Sequence, residues 1–147
     1  MIESIIQDKA YQQLAKSQVK TLIEYLLSND YEFSITANIK AIKFEPQLPS
    51  SILDRLAPFS LFVLANYTFS TIKIDDEYLS FEAGFGAENF GSLVQIPLLA
   101  VFQIIVEESI LYINSTATLE KFFEKQNLKE KSLNVFKNNP NNRNLIK

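Results

Sequence analysis

The hydrophobic period of this chain changes near Ser28-Asn29-Asp30, and that change restricts the fold more than any other feature. Before it, Ile2, Ile5, Ile6, Ala10, Leu14, Val19, Leu22, Ile23, Leu26 and Leu27 recur largely at helical steps, forming one stripe along a helix from Ile2 to Leu27. Neither Gly nor Pro interrupts the run, and the polar triplet stops it. After it, "EFSITANI" and "KAIKFE" alternate with the period of two that belongs to half-buried strands. A helix feeding a run of strands must bury its stripe against them, so the expected class is α+β, mainly β.

The remainder of the chain extends that pattern. Pro46 and Pro49 break the ladder and leave "SSILDRL" room for a short helical turn. "FSLFVLANYTFSTIKI" is rich in Phe, Val, Ile and Thr and supplies one or two strands. "DDEY" reads as a turn, because Asp accepts turn conformations readily. "YLSFEAGFGA" follows as a strand with Leu79, Phe81, Ala83 and Phe85 on one face. Asn89 and Gly91 allow a further turn before the strand "SLVQI". Pro97 is then expected to open a helix, "PLLAVFQIIVEES", with Leu98, Val101, Phe102 and Ile105 as its apolar surface. "ILYIN" reads as a last strand, and Thr118 as the N-cap of a helix over "LEKFFEKQNLKEKSLNVF". Past Phe136 asparagine dominates, and the fold is expected to end there. This divides the chain into a body over 1–113, a helical extension over 114–137 and a flexible tail over 138–147. Successive short strands with polar turns suggest a small, partly open antiparallel barrel.

Composition removes several chemistries. The chain contains no Cys and no His, so it cannot form a disulfide, a Ser-His-Asp triad or an ordinary zinc site. Three glycines and no Walker-type or Rossmann fingerprint leave no phosphate-cradling loop. These absences point away from an enzyme and from any cofactor or metal. The net charge of −3 argues against a dedicated nucleic-acid binder, whose backbone contacts require clustered Lys and Arg. "MIESIIQDKAYQQL" lacks the basic start and apolar run of a secretion signal, and "IPLLAVFQIIV" falls short of the ~20 residues that span a bilayer. The expected setting is therefore cytoplasmic.

Four segments carry a family resemblance. "VKTLIEYLLSND", "FVLANYTFSTIKIDDEYLSFEAGFG" and "VQIPLLAVFQII" stand in the order and spacing of the stringent starvation protein B (SspB) family, and the last residues resemble that family's tail. The Phe81-Glu82-Ala83-Gly84-Phe85-Gly86 run is similar to the family's Phe-x-Ala-x-Phe-Gly strand, and it follows the Leu64-Ala65 strand without gaps. Val94 to Val101 is similar to the family's strand running into a proline-initiated apolar helix. The resemblance implies a leading helix and an Sm-like open barrel, dimeric, acting as an adaptor. Such adaptors hold the ssrA-type degradation tag of tmRNA-tagged proteins and deliver them to the ClpX unfoldase of the ClpXP protease.

The implied tag groove lies beside the Phe-Ala-Phe strand and would use Leu64, Ala65, Phe81, Glu82, Ala83, Gly84, Phe85, Gly86 and Gln95. The physics suits an extended peptide, because small residues let another backbone approach while aromatics form pocket walls. A purely structural reading makes Phe81 and Phe85 core residues and Gly86 a bend. Glu82 and Gly84 stand where the family usually has Asn and Arg; losing a cation and gaining an anion implies a changed peptide preference, above all in how acidic tag residues are received. The resemblance also implies that Leu145-Ile146-Lys147 docks on the ClpX N-terminal domain together with Arg143 and Asn144; the usual adjacent Arg is here one place earlier.

Other readings remain open at this level. Aromatic strands also stack bases, so an Sm-like or OB-like RNA-binding module is the alternative. Asp75, Asp76 and Glu77 are the acids an enzyme would use, although acids at a hairpin tip are more often a solvated turn. A scaffold without a peptide site is the remaining reading.

Overall fold

A computed structural model describes residues 1–118, and every structural statement below concerns those residues. The leading helical stripe is two helices, α1 (Ile2–Gln7) and α2 (Lys9–Ser28), where the sequence predicts one. Asp8 makes the break: its backbone is extended, and its carboxylate accepts from the N–H of Ala10 at 3.0 Å. An N-cap of this kind satisfies a donor that a continuous helix would not leave free. Gln12 answers from the other side, donating through Nε2 to the Ile6 carbonyl at 2.9 Å. The buried stripe of α2 is Ala15, Val19, Ile23 and Leu26, which leaves Leu14 on its exposed shoulder. The polar stop behaves as expected. Asn29 donates to the Tyr25 carbonyl, Tyr31 N–H reaches Leu26 O, and Asp30 takes a left-handed φ of 55°.

Two antiparallel sheets of four strands each follow. The first, sheet A, contains β1 (Phe33–Asn38), β3 (Phe59–Leu64), β7 (Val101–Val106) and β8 (Ser109–Ile113) in the order β3-β1-β7-β8. The second, sheet B, contains β2 (Lys43–Glu45), β4 (Lys73–Ile74), β5 (Tyr78–Phe85) and β6 (Phe90–Pro97) in the order β2-β6-β5-β4. Each sheet keeps two edge strands, so they do not close into the single barrel that successive strands suggest. Short helices α3 (Ser50–Leu53) and α4 (Asn66–Ser70) flank β3. The turn expected in "SSILDRL" is α3; α4 is a helical turn inside a segment that reads in sequence as strand.

The helix expected from Pro97 is a second correction. Leu98–Ala100 makes one tight helical turn, and the chain then continues as β7 between β1 and β8. Val101, Ile104, Ile105 and Val106 are β-branched, and such side chains favour the pleated sheet. A short apolar run fits either period, and here strand pairing on both sides decides.

One core joins the sheets and the helix. Val19, Ile23 and Leu26 of α2 pack with Phe33, Ile35, Phe62, Leu64 and Ile104 of sheet A and Leu79, Phe81, Val94 and Ile96 of sheet B. The rings of Phe62 and Phe81 meet edge-on across the sheets at 5.7 Å. Lys16 and Lys20 of α2 pair with Glu77 and Asp76 at 2.8 and 2.6 Å, and Tyr112 of β8 donates to Gln18 at 2.6 Å, so α2 is tied to both sheets. The packed body continues past β8. Asn114 donates to Val101 O at 2.9 Å, and Thr116 and Ala117 are buried. The helix expected after Thr118 and the tail over 138–147 lie outside the described residues. No helix among the described residues is long and apolar enough to cross a membrane.

Candidate functional site

The site is built on β5, whose two edges are not equivalent. Along one edge it pairs with β6 from Tyr78↔Pro97 to Phe85↔Phe90. Along the other, β4 covers only Leu79 and Ser80. In an antiparallel ladder successive residues send their N–H and C=O to opposite sides. Ser80 pairs with Lys73 of β4, and Glu82 N–H donates to Thr71 Oγ1 at 2.9 Å, so Ser80, Glu82 and Gly84 face away from β6. Beyond Thr71 no strand lies beside the Glu82 carbonyl or the Gly84 peptide groups. Open edges of this kind template the pairing of another chain.

A cleft of about 850 Å³ lies at this edge, lined by Glu45, Pro46, Ala65, Asn66, Tyr67, Thr68, Glu82, Ala83, Gly84, Asn89, Gly91, Ser92 and Leu93. One wall is the start of α4, whose Asn66 has a left-handed φ of 54°. Glu32 holds that residue by accepting from its N–H at 2.6 Å. The floor is the outer face of sheet B. There Gly84 stands opposite Gly91, and the Asn89 side chain occupies the space a Gly84 Cβ would need, 1.7 Å from Oδ1. At the end of β2, Ser92 Oγ donates to Pro46 O at 2.8 Å and ties that rim to β6.

The cleft carries one sign of charge. Glu45 and Glu82 line it, and neither Lys nor Arg does. Tyr67 donates to Glu82 at 3.3 Å, and its phenol is held above its ordinary range, first by the field of the Glu82 carboxylate and then by that hydrogen bond.

The residues named from the family resemblance separate into two groups. Ala65, Glu82, Ala83 and Gly84 line the cleft together. Leu64 and Phe81 are fully buried in the core instead. Phe85 is half-buried, edge-on to Phe44 at 5.7 Å and to Phe62 at 6.3 Å. Gly86 turns away with φ of 74° against Ile52, and Gln95 lies on the outer face between Lys43 and Ser80. Arg143, Asn144, Leu145, Ile146 and Lys147 lie outside the described residues. Sequence reasoning did not include the opposite wall, Asn66 to Thr68, because it took that segment as strand. The signal was Asn66 itself, a residue that tolerates left-handed backbone directly after an alternating run.

The acids of the hairpin tip are engaged elsewhere. Asp75 accepts from the N–H groups of Glu77 and Tyr78 at 2.8 and 2.7 Å, which hold its carboxyl below the usual range, while Asp76 and Glu77 pair with Lys20 and Lys16. Among the described residues no group of three or more His, Cys, Asp or Glu is placed to hold a metal ion. Comparison with protein-family models and with curated proteins gives no match to this chain.

Proposed function

We propose that this chain is a proteolytic adaptor of the SspB type. The cleft beside β5 holds the ssrA-type tag of tmRNA-tagged proteins as an extended peptide. The residues at 143–147 tether the complex to the N-terminal domain of ClpX for degradation by ClpXP. The observation that carries the reading is the concave cleft at an open strand edge, since main-chain groups there are available to a peptide whatever its side chains. A leading helix and two antiparallel sheets around one core also fit the outline of an Sm-like body, splayed instead of closed. Tethering needs no covalent chemistry. A short linker raises the local concentration of captured substrate to the order of millimolar, and a homodimer with two tails would raise avidity further. An RNA-binding module receives no comparable support, because two carboxylates and no cation face the space a phosphate backbone would enter.

The test uses a labelled tag peptide from the same organism, titrated against the full chain. Gly91→Trp grows a large ring from the lining of the cleft, at a position where an added Cβ meets nothing within 4 Å. It is expected to weaken peptide binding at least about tenfold while leaving the melting temperature unchanged. Ala83→Gln is expected to weaken peptide binding as well and, because Ala83 packs against the core, to lower the melting temperature. Deleting Leu145-Ile146-Lys147 should abolish capture by immobilised ClpX and leave peptide affinity intact. Unaltered peptide affinity in both cleft variants would refute the cleft assignment, and unaltered ClpX capture would refute the tail assignment.

A further inference from the structure

We propose that this cleft selects extended peptides bearing a lysine or arginine side chain, whose aliphatic stem lies on Leu93 and whose cationic head is held between Glu45 and Glu82. The inference rests on the peptide-adaptor reading of the same cleft and specifies what that peptide must carry.

Strand register supplies the geometry. Glu45 of β2 stands opposite Leu93 of β6, and Leu93 stands opposite Glu82 of β5, so the three form one row across neighbouring strands. Their chain neighbours Phe44, Ser92, Val94 and Phe81 are buried, which puts the row on the outer face of sheet B. Adjacent strands lie about 4.8 Å apart, so a head group above Leu93 is within reach of a carboxylate on either side. Leu93 is 45% exposed, an apolar platform between two acids. Lysine and arginine match that pattern, because each has an aliphatic stem to lay on an apolar surface and a cationic end to present to a carboxylate. Acidic side chains meet repulsion at the same row, and small neutral ones offer neither carboxylate a cation.

The surroundings agree. The next row holds Gly84 and Gly91; the Asn89 side chain lies over Gly84, whereas the space at Gly91 is open to a peptide backbone beside the charged row. The row on the other side holds Lys43, Gln95, Ser80 and Lys73, and neither lysine lines the cleft.

The experiment retains peptides on the full chain from a decapeptide library, acetylated and amidated at its ends, in which one position at a time is fixed as Lys, Arg, Gln, Asp or Glu. The wild-type chain is expected to enrich Lys and Arg at one position by about three- to fivefold over Gln, the range of an exposed ion pair, and to lose that enrichment as salt is raised. Glu82→Lys should reverse the preference toward Asp and Glu; Leu93→Ala should lower it without reversing it. Gly91→Trp separates the two levels of inference. Peptides lost in that variant but enriched in neutral or acidic residues would overturn the basic-side-chain proposal and leave the cleft standing. Peptides retained equally by wild type and Gly91→Trp, or none retained at all, would overturn both.

Discussion

The two sheets share one core and differ on their outer faces. The strands of sheet A, Phe33–Asn38, Phe59–Leu64, Val101–Val106 and Ser109–Ile113, contain no charged residue. Those of sheet B carry Lys43, Glu45, Lys73 and Glu82. Inward, the sheets are alike, with aromatic and branched aliphatic side chains meeting between them. Outward, sheet A presents Leu61, Val63, Ile110 and Ile113, each more than half exposed, and sheet B presents charges, glycines and the cleft. Inner faces are set by the demand to exclude water, which both sheets meet in the same way. Outer faces are under no such demand, so their difference reports what each side contacts.

The likeness of the inner faces is the first thing to break, and it carries the largest expected effect. Phe81 of sheet B is fully buried and Phe62 of sheet A nearly so, with their rings in contact. Phe81→Ala and Phe62→Ala should each cost about 3–5 kcal/mol of unfolding free energy, because each loses transfer energy and leaves a cavity. Urea denaturation measures this. A loss below about 1 kcal/mol at Phe81 would mean that its ring is not core, and would return it to the wall of the peptide groove.

That result bears on how much was legible in the sequence. Alternation alone placed Leu79, Phe81, Ala83 and Phe85 on one face of β5, and the structure agrees. It could not separate a core ring from a groove wall, since both are apolar positions on the same side of a strand. The helix break at Asp8 was legible in principle, because Asp followed by helical residues is an N-cap signal even without Gly or Pro. The strand after Pro97 was less so. "LLAVFQIIV" supports a helical and a strand period equally, and only its place between β1 and β8 settles which one forms. The cleft was half legible. Its β5 floor lies in one continuous segment, whereas Glu45 and Leu93 reach it through pairing across β2, β6 and β5, which no local pattern records.

A smaller effect sharpens the description of sheet B. The glycines in and beside it stand in three different environments, and alanine distinguishes them. Gly86 has a left-handed φ of 74°, and an added Cβ would also lie 3.2 Å from Ile52 Cδ1. Gly86→Ala should therefore cost about 1–2 kcal/mol. Gly84→Ala must displace the Asn89 side chain, which can rotate away, so it should cost less than Gly86→Ala while changing the cleft floor. Gly91→Ala meets nothing and should fall within about 0.5 kcal/mol of wild type. Equal losses at all three positions would show that the differences drawn between these backbone environments are wrong.

The smallest expected change in stability comes from the outer face of sheet A, where it is most informative. Val63 is 64% exposed and Leu61 58% exposed on β3, and neither occupies the core. Val63→Lys should leave the unfolding free energy of a monomer within about 0.5 kcal/mol, since an exposed strand position accepts a long charged side chain. Association is a different matter. A face whose strands carry no charge offers a second copy the same uncharged face, and a two-fold dimer buries one patch against itself. Homodimer interfaces are depleted of charge at their centres, which matches this composition. If the proposed homodimer forms here, Val63→Lys places two like charges near one axis and should convert it to monomer, as read by light scattering across a dilution series. Dimer persisting in Val63→Lys and in Leu61→Lys would move the interface elsewhere, and sheet A would then differ from sheet B for a reason that self-association does not supply.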